Sequence, residues 1–260
     1  MGNVVEKLQY IADTKTAIYN AINNSGGIVT ATDTFRSYAS EIANLGMVNT
    51  LSDGNTVGWY DFSNVNTITK DGNNLVSLWA DRLGSGRNLA QVTEAKRPLY
   101  TATGIRFDGA AQYIKASFTL IQPEFIYIVF KQITYTNGRI ILDGNNVLGG
   151  MVRQVEPSPN LKAYAGTYSN AITTLAVDTF GILRVLFNGA SSKIQHNANA
   201  AVTGNFGAGT MAGFSLGTTV DGNAGYCANI EVKEIIIRNV ADAEATETAI
   251  YNYLKAKYSL

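Results

Sequence analysis

The first 46 residues carry their apolar side chains at helical spacing. In the first stretch these are Val5, Leu8, Ile11, Ala12, Ile18 and Ile22. They recur at helical spacing, with a drift in phase around residues 14–16, which predicts an amphipathic helix. The run NNSGG at 23–27 ends it, because Asn and Gly tolerate the left-handed conformation of a helix terminus. Thr32, Asp33 and Thr34 are N-cap candidates for a second helix, FRSYASEIANL, which Gly46 is expected to stop.

From Met47 onward the pattern changes to short apolar runs separated by Gly, Asn and Asp. The clearest predicted strands are 125–135, 139–144, 182–189 and 232–239. Asn-Gly and Asp-Gly pairs between the runs accept the positive φ of tight turns. A final helix is predicted from Asp242 onward, with acids in its first turns. Many strands with few helices between them indicate a mainly β, antiparallel two-sheet sandwich or jelly roll.

Composition excludes several classes of protein. The 20 basic and 20 acidic residues cancel, and only 15% of the chain is charged. Capture of nucleic acid or of an anionic membrane needs a basic excess, so neither partner is expected. Cys227 is the only cysteine, which excludes an intrachain disulfide. The amino terminus lacks the charged and apolar regions of a secretory signal, and no apolar run is long enough to span a membrane.

Several stretches of residues 47–260 together resemble a concanavalin A-like, laminin-G-like jelly roll. They are GWYDFSN (58–64), the segment 79–100, IRFDGAAQYI (105–114), FGILRVLFNGASSKIQ (180–195) and the end of the chain from residue 234. The resemblance implies that residues 79–100 form a long ordered connection around the sandwich. Residues 1–46, with their AI-rich first helix and TFxxYAxxI second helix, resemble helical segments of tailed-bacteriophage structural proteins.

Catalytic chemistry is sparse in the sequence. Laminarinase-type enzymes of the resembled fold carry paired glutamates on one strand, and retaining hydrolysis needs carboxyl groups about 5 Å apart. Glu231 and Glu234 are the nearest approach, but a spacing of three predicts opposite faces of a regular strand. His196 is expected in a turn, and Cys227 is expected to be a small buried residue. No His/Cys cluster has zinc-ligand spacing.

Tyrosine is the enriched side chain, with 14 copies, and sugars are commonly held by an aromatic face and polar side chains. The candidate sugar-binding residues are Tyr127, Tyr135, Tyr164, Tyr168, Tyr226, Asn145, Asn146 and Asn223. Tyr127 and Tyr135 are an even number apart, which predicts one face of one strand. The alternative is that these tyrosines only pack between sheets or subunits. Asp143 and Asp221 lie in DGN loops that could ligate calcium, as in some proteins of the resembled fold, although such turns are more commonly plain hairpins.

The two resemblances together imply a non-enzymatic virion protein made in the host cytoplasm. Residues 1–46 would dock to other virion proteins or to sister subunits, most simply in a homotrimer, through Leu8, Ile11, Ile18, Phe35, Tyr38 and Ile42. The alternative for this segment is a helical hairpin lying on the following domain. Residues 47–260 would display a lectin-like domain that binds host-surface glycan. A purely structural decoration protein is the second hypothesis, and a glycan hydrolase is the third.

Overall fold

The computed structural model describes residues 4–24, 29–146 and 149–260. Three α-helices flank a β-sandwich: α1 (Val4–Asn24), α2 (Phe35–Leu51) and α3 (Glu244–Tyr258). The strands, numbered β1 to β17 along the chain, form two sheets in which the paired neighbours run antiparallel. The predicted fold class, a mainly β two-sheet sandwich with helices before and after it, is confirmed. None of the helices described is long and apolar enough to cross a membrane.

Sheet I has the strand order β15-β14-β13-β8-β17-β6-β5, and β1 pairs with the second half of β17. Its strands are β1 (Thr56–Asp61), β5 (Leu99–Tyr100), β6 (Ile105–Asp108), β8 (Glu124–Gln132), β13 (Gly181–Phe187), β14 (Ser192–His196), β15 (Val202–Gly204) and β17 (Asn229–Arg238).

Sheet II has the order β12-β11-β10-β9-β16-β7-β4-β3-β2. Its strands are β2 (Ile68–Lys70), β3 (Val76–Trp79), β4 (Leu89–Ala90), β7 (Ile114–Ser117), β9 (Ile140–Asp143), β10 (Met151–Val155), β11 (Asn160–Tyr164), β12 (Tyr168–Thr174) and β16 (Gly213–Leu216). Strands β8 and β9 therefore belong to different sheets, so the turn at 135–139 crosses the sandwich and does not close a hairpin.

The central strands of sheet I are buried on both faces. In β8, Ile126, Ile128 and Phe130 point into the core between the sheets. The alternate residues, Phe125, Tyr127 and Val129, belong to a second apolar cluster with α3 and the end of α2. A strand covered on both faces reads as a continuous apolar run rather than an alternating one. This explains why the stretch EFIYIVF was recognisable as a strand.

Helix α2 does not stop at Gly46 as predicted but continues to Leu51. Met47 and Leu51 are buried against sheet I and α3. Burial of two large apolar side chains stabilises by several kcal/mol, which outweighs the roughly 1 kcal/mol that a glycine costs inside a helix. The predicted boundary between residues 46 and 47 therefore falls within a helix. The predicted N-cap of α2 is confirmed, since Thr34 Oγ1 accepts the backbone N–H of Ser37.

Helix α1 packs on α2 through a small cluster of Ile18, Ile22, Val29 and Tyr38. Of the predicted docking residues, Tyr38 is therefore buried within the hairpin and Ile18 is partly buried there. The other four, Leu8, Ile11, Phe35 and Ile42, are exposed. The two helices form a hairpin, and the end of α2 lies on the sandwich, as the alternative hypothesis has it. Docking of residues 1–46 to other chains stays a prediction.

The connection from Trp79 to Tyr100 is ordered, as predicted. Trp79 is fully buried in the core, while Gly84 and Gly86 have positive φ and make the bends. Asp81 is the polar anchor, because its carboxylate accepts the backbone N–H groups of Trp59 and Ser85. The segment also contributes the short strands β4 and β5, which the sequence did not predict.

Candidate functional site

The outer face of sheet II carries a pair of tyrosines at its β10–β12 edge. In β11, Leu161 and Ala163 enter the core, so Lys162 and Tyr164 point to the opposite face. Tyr164 lies directly opposite Tyr168 of β12, and the two ring centroids are 4.4 Å apart with planes tilted by 42°. Tyr168 is 57% exposed. Two of the predicted sugar-binding residues are thus brought together as one aromatic surface.

Two cations flank this surface. Arg153 of β10 and Lys162 of β11 are direct cross-strand partners. The Arg153 guanidinium lies 5.1 Å and the Lys162 ammonium 5.6 Å from the centroid of the Tyr168 ring. Within the described ranges, neither cation takes part in an ion pair, and Arg153 Nε is buried without a hydrogen-bond partner. Like charges directly opposite on a sheet are destabilising, so an anion placed here would relieve a cost.

We call Arg153, Lys162, Tyr164 and Tyr168 the tyrosine platform. The sequence analysis missed its two cations. They are nine residues apart in the chain and meet only through the register of the β10–β11 hairpin. Part of the signal was present in β11, where Lys162 and Tyr164 alternate with buried residues, whereas Arg153 lies in a strand that is otherwise buried throughout.

The other predicted sugar-binding tyrosines do not join the platform. Tyr127 is fully buried under α3, and its hydroxyl donates to Asp242 Oδ2 at 2.8 Å. Burial, together with this carboxylate, raises the pKa of Tyr127 above its ordinary value. Tyr135 lies beyond the end of β8, so the prediction that it shares a strand face with Tyr127 is wrong. Tyr226 is 44% exposed but lies in the separate loop before β17.

The predicted asparagines and aspartates hold their own loops. Asn145 Nδ2 donates to Ser117 Oγ, Asn146 Nδ2 donates to the carbonyl of Thr210, and Asn223 Oδ1 accepts the N–H of Gly225. Asp143 and Asp221 likewise accept hydrogen bonds within their own turns. Among the described residues, no group of three or more His, Cys, Asp or Glu side chains is placed to hold a metal ion.

The prediction for Glu231 and Glu234 is wrong in its geometry. The register of β17 shifts between Val232 and Glu234, so Lys233 is an extra, bulged residue. A bulge inserts one extra residue, so the side chains after it point to the opposite face from the one that regular alternation predicts. Ile230, Val232, Ile235 and Ile237 all enter the core, which leaves both glutamates on the opposite face.

Glu234 is the centre of a buried polar network beneath α3. Its carboxylate accepts from Trp59 Nε1 at 2.7 Å, from the hydroxyls of Tyr253 and Tyr258, and from Lys257 Nζ at 2.7 Å. Lys257 also pairs with Asp61, which pairs in turn with Arg82. Burial raises the pKa of Glu234, and the neighbouring Lys257 opposes that rise. Every oxygen of Glu234 is already partnered, so this network stabilises the fold and offers no free acid.

Glu124, at the start of β8, is a buried acid that the sequence analysis overlooked. Its side chain is fully buried; Oε1 accepts the N–H of Met211 at 2.9 Å, and Oε2 has no partner among the described residues. Burial raises the pKa of Glu124 to about 8. A carboxyl group in this position is protonated at neutral pH and inaccessible to a ligand in this conformation.

A polar cleft of about 440 Å³ lies beside the start of α3. It is lined by Arg184, Lys193, Gln195, Asp242, Glu244, Glu247 and Thr248. Glu247 pairs with Arg184 at 3.0 Å and with Lys193, and Asp242 pairs with Arg238 at 2.8 Å. Helix α3 begins at Glu244 and not at Asp242 as predicted, and the Asp242 carboxylate is held by Arg238 and Tyr127. Glu244 is the exposed carboxylate of the cleft.

The remaining chemistry-bearing residues are structural. Cys227 is buried, as predicted, and burial raises the pKa of its thiol. His196 is the last residue of β14, at the entrance to the predicted turn, and burial lowers its pKa.

Comparison with solved structures supports the fold. The Trypanosoma rangeli sialidase in complex with sialic acid has a TM-score of 0.57 and 10% identity; the match covers 98% of this chain and 40% of the sialidase chain. An arabinofuranosidase complexed with arabinofuranosyl-alpha-1,2-xylobiose has a TM-score of 0.56 and 11% identity, covering 70% of this chain and 51% of the other. The chain thus spans about half or less of the length of these structures. No family model and no curated protein matches the sequence.

These findings correct the functional prediction. The chain was expected to be a non-enzymatic phage virion protein, with glycan hydrolysis as the third hypothesis. The similar structures named here are sialidases and arabinofuranosidases. The non-enzymatic virion prediction is therefore wrong on this comparison, which favours the hydrolase alternative. At about 10% identity the likeness itself shows the fold, a β-sandwich shared with carbohydrate-active proteins.

Proposed function

We propose that this chain is a carbohydrate-active, concanavalin A-like sandwich whose tyrosine platform binds a glycan bearing acidic sugars. The observation that carries the proposal is a pair of tyrosines, Tyr168 exposed and Tyr164 half-buried, beside two cations without ion-pair partners in the described ranges. Aromatic faces stack on the apolar faces of sugar rings, and cations select a carboxylate-bearing ligand over a neutral one. The sialidase structure that is similar in fold contains sialic acid, a sugar of this class.

The architecture supports binding at this position. The platform lies on strands of a sheet whose inner face is fixed by Leu161 and Ala163 in the core. Binding residues on packed strands are held more precisely than those on loops. A planar guanidinium at Arg153 can make two hydrogen bonds to one carboxylate, whereas Lys162 supplies a point charge.

Titration of the full-length chain with a sialic acid-terminated oligosaccharide, and with the same oligosaccharide lacking the acid, tests the proposal. We expect saturable binding of the acidic form and at least tenfold weaker binding by Tyr168→Ala and by Arg153→Gln. Lys70→Gln is the matched control, because Lys70 is also a cation above a tyrosine, 4.8 Å from the Tyr100 ring, on the same sheet. Equal binding of both oligosaccharides, or equal weakening by the control, would contradict the proposal.

Glycoside hydrolysis is the second candidate, and the polar cleft beside α3 is the arrangement that favours it. Most glycosidases place two carboxyl groups on either side of the scissile bond. The cleft gathers Asp242, Glu244 and Glu247 around a volume that is large enough for a sugar. Glu244 is the exposed acid, whereas Glu247 is buried and pairs with Arg184 and Lys193.

Hydrolysis is tested with 4-nitrophenyl α-L-arabinofuranoside, the compound soaked into a structurally similar mutant arabinofuranosidase, and with a 4-nitrophenyl sialoside. We expect release of nitrophenol from one of them and a loss of at least a hundredfold in Glu244→Gln. Glu6→Gln, on α1, is the control. Activity that survives in Glu244→Gln would remove the cleft as the active site, and the absence of activity on both compounds would leave glycan binding as the function.

A further inference from the structure

Five apolar residues of α1 fall on a seven-residue repeat, while Val5 and Tyr10 lie outside it. Val4, Leu8, Ile11, Ile18 and Ile22 are separated by alternating steps of four and three, with Lys15 at the remaining position of the repeat. A repeat of 3.5 residues per turn places these side chains on one seam, and this is the pattern of a coiled coil. In heptad terms Leu8, Lys15 and Ile22 occupy the a positions, and Val4, Ile11 and Ile18 occupy the d positions.

The second half of this seam is covered by α2, whereas the first half is exposed. Ile18 and Ile22 pack against Tyr38 of α2 in the same chain. Val4, Leu8 and Ile11 are 72%, 61% and 51% exposed. Lys15 separates the halves, and its Nζ donates to the carbonyl of Ala31 at 2.9 Å. The seam is therefore continuous with an interface that already exists, and its first half has no partner within the described chain.

Exposed apolar residues are concentrated on this hairpin. More than half of the large apolar side chains exposed in the described ranges lie on α1 and α2, although the two helices are a small part of the chain. A shallow groove of about 460 Å³ also runs beside Ile11, lined by Glu6, Lys7, Tyr10 and Ile11. Clusters of this kind mark surfaces that are covered by another molecule.

We propose that the first half of α1 associates with the same segment of further copies of this chain, in a closed homo-oligomer of three or four subunits. A repeat with one seam is self-complementary, because each copy presents both the knobs and the holes that the others need. Leu at an a position with Ile at a d position favours trimers and tetramers over dimers. Such an oligomer presents several tyrosine platforms together, although the association does not depend on what they bind.

Sedimentation equilibrium of the full-length chain, from one to one hundred micromolar, tests this proposal. We expect the mass of three or four copies of the 27.9 kDa chain. The double variant Leu8→Ser, Ile11→Ser is expected to sediment as a folded monomer, since both side chains are exposed within one chain. The matched control is Val65→Ser, Val92→Ser, which removes two exposed apolar side chains from the sandwich and should keep the oligomer.

A cross-link adds a test of geometry. In Ile11→Cys, mild oxidation should join subunits through the new thiol, because d positions of a parallel coiled coil face each other, whereas Cys227 is buried and should not react. A wild-type monomer throughout the concentration range, a dimer, or an oligomer that persists in the Leu8/Ile11 variant would each overturn the proposal.

Discussion

The outer faces of the two sheets differ in whether their charged side chains are paired. Beneath α3, the carboxylates of Glu234 and Asp61 share Lys257, and tyrosine hydroxyls satisfy the remaining oxygens. On sheet II, Arg153 and Lys162 face each other without a carboxylate in ion-pair range among the described residues. Charges that are fully buried need partners to be tolerated, whereas half-buried charges at the surface stay in contact with water and can remain unpaired at a smaller cost. The first face is therefore built for stability, and the second is the one available for a ligand.

Removal of the central carboxylate should have the largest effect. Glu234→Ala leaves Trp59 Nε1 and two tyrosine hydroxyls without this acceptor in a buried site and leaves Lys257 with Asp61 as its carboxylate partner; breaking a buried ion pair in this way costs about 3–5 kcal/mol. Urea denaturation should show this decrease in the free energy of unfolding. Glu244→Ala, which removes an exposed glutamate from α3, should change it by less than about 0.5 kcal/mol. If both variants are equally stable, the network contributes nothing to the fold.

Glu124 provides a contrast to Glu234, since it is buried with one oxygen unpartnered. Its pKa is raised to about 8 in the folded chain, above the ordinary value of 4.5. The folded state therefore holds the proton more tightly than the unfolded state, so Glu124 favours folding at low pH and loses that contribution as the pH rises toward 8. We expect the free energy of unfolding to fall by about 3 kcal/mol between pH 5 and pH 8.

Glu124→Gln is the variant that isolates this effect. It keeps the shape of the side chain but cannot ionise, so its stability should vary much less over the same pH range. The lowered pKa of Asp61 acts with the opposite sign, but its contribution is lost only as the pH falls into the acid range. A wild-type stability that is flat from pH 5 to pH 8 would show that Glu124 finds a partner or water in solution.

The features that were predicted correctly from the sequence are those that depend on residues close together in the chain. The apolar run of β8, the cap at Thr34 and the ordered connection after Trp79 all depend on nearby residues. The bulge at Lys233 could not be predicted, because it arises where β17 pairs with β8 on one side and changes partner from β6 to β1 on the other. The tyrosine platform was half predicted: Tyr164 and Tyr168 were named, but Arg153 and Lys162 required the strand register.

Gly46 allows a smaller test of how tertiary packing overrides the low helix propensity of glycine. The helix passes through Gly46 because Met47 and Leu51 are buried, and a Cβ at this position would meet no atom within 4 Å. Gly46→Ala should therefore raise the free energy of unfolding by about 0.5–1 kcal/mol, since alanine is the better helix former. The same change at Gly58, where a Cβ would lie 2.9 Å from the Tyr60 ring, should be destabilising. Thermal unfolding of the two variants measures both signs.

Lys162→Glu should give the smallest change in the free energy of unfolding but abolish binding of the acidic glycan. Lys162→Glu turns the like-charged pair with Arg153 into an opposite-charged pair on adjacent strands, which should stabilise the sheet by about 0.2–1 kcal/mol. The same substitution neutralises Arg153 and places a carboxylate where the acidic sugar is proposed to lie, so binding of a sialic acid-terminated oligosaccharide should be lost. Denaturation and titration of one preparation measure both effects. A variant that is more stable but no longer binds indicates that the unpaired cations are needed for ligand binding. A less stable variant would mean that Lys162 stabilises the fold. Lys162→Gln separates the two contributions, because it relieves the repulsion without adding a negative charge.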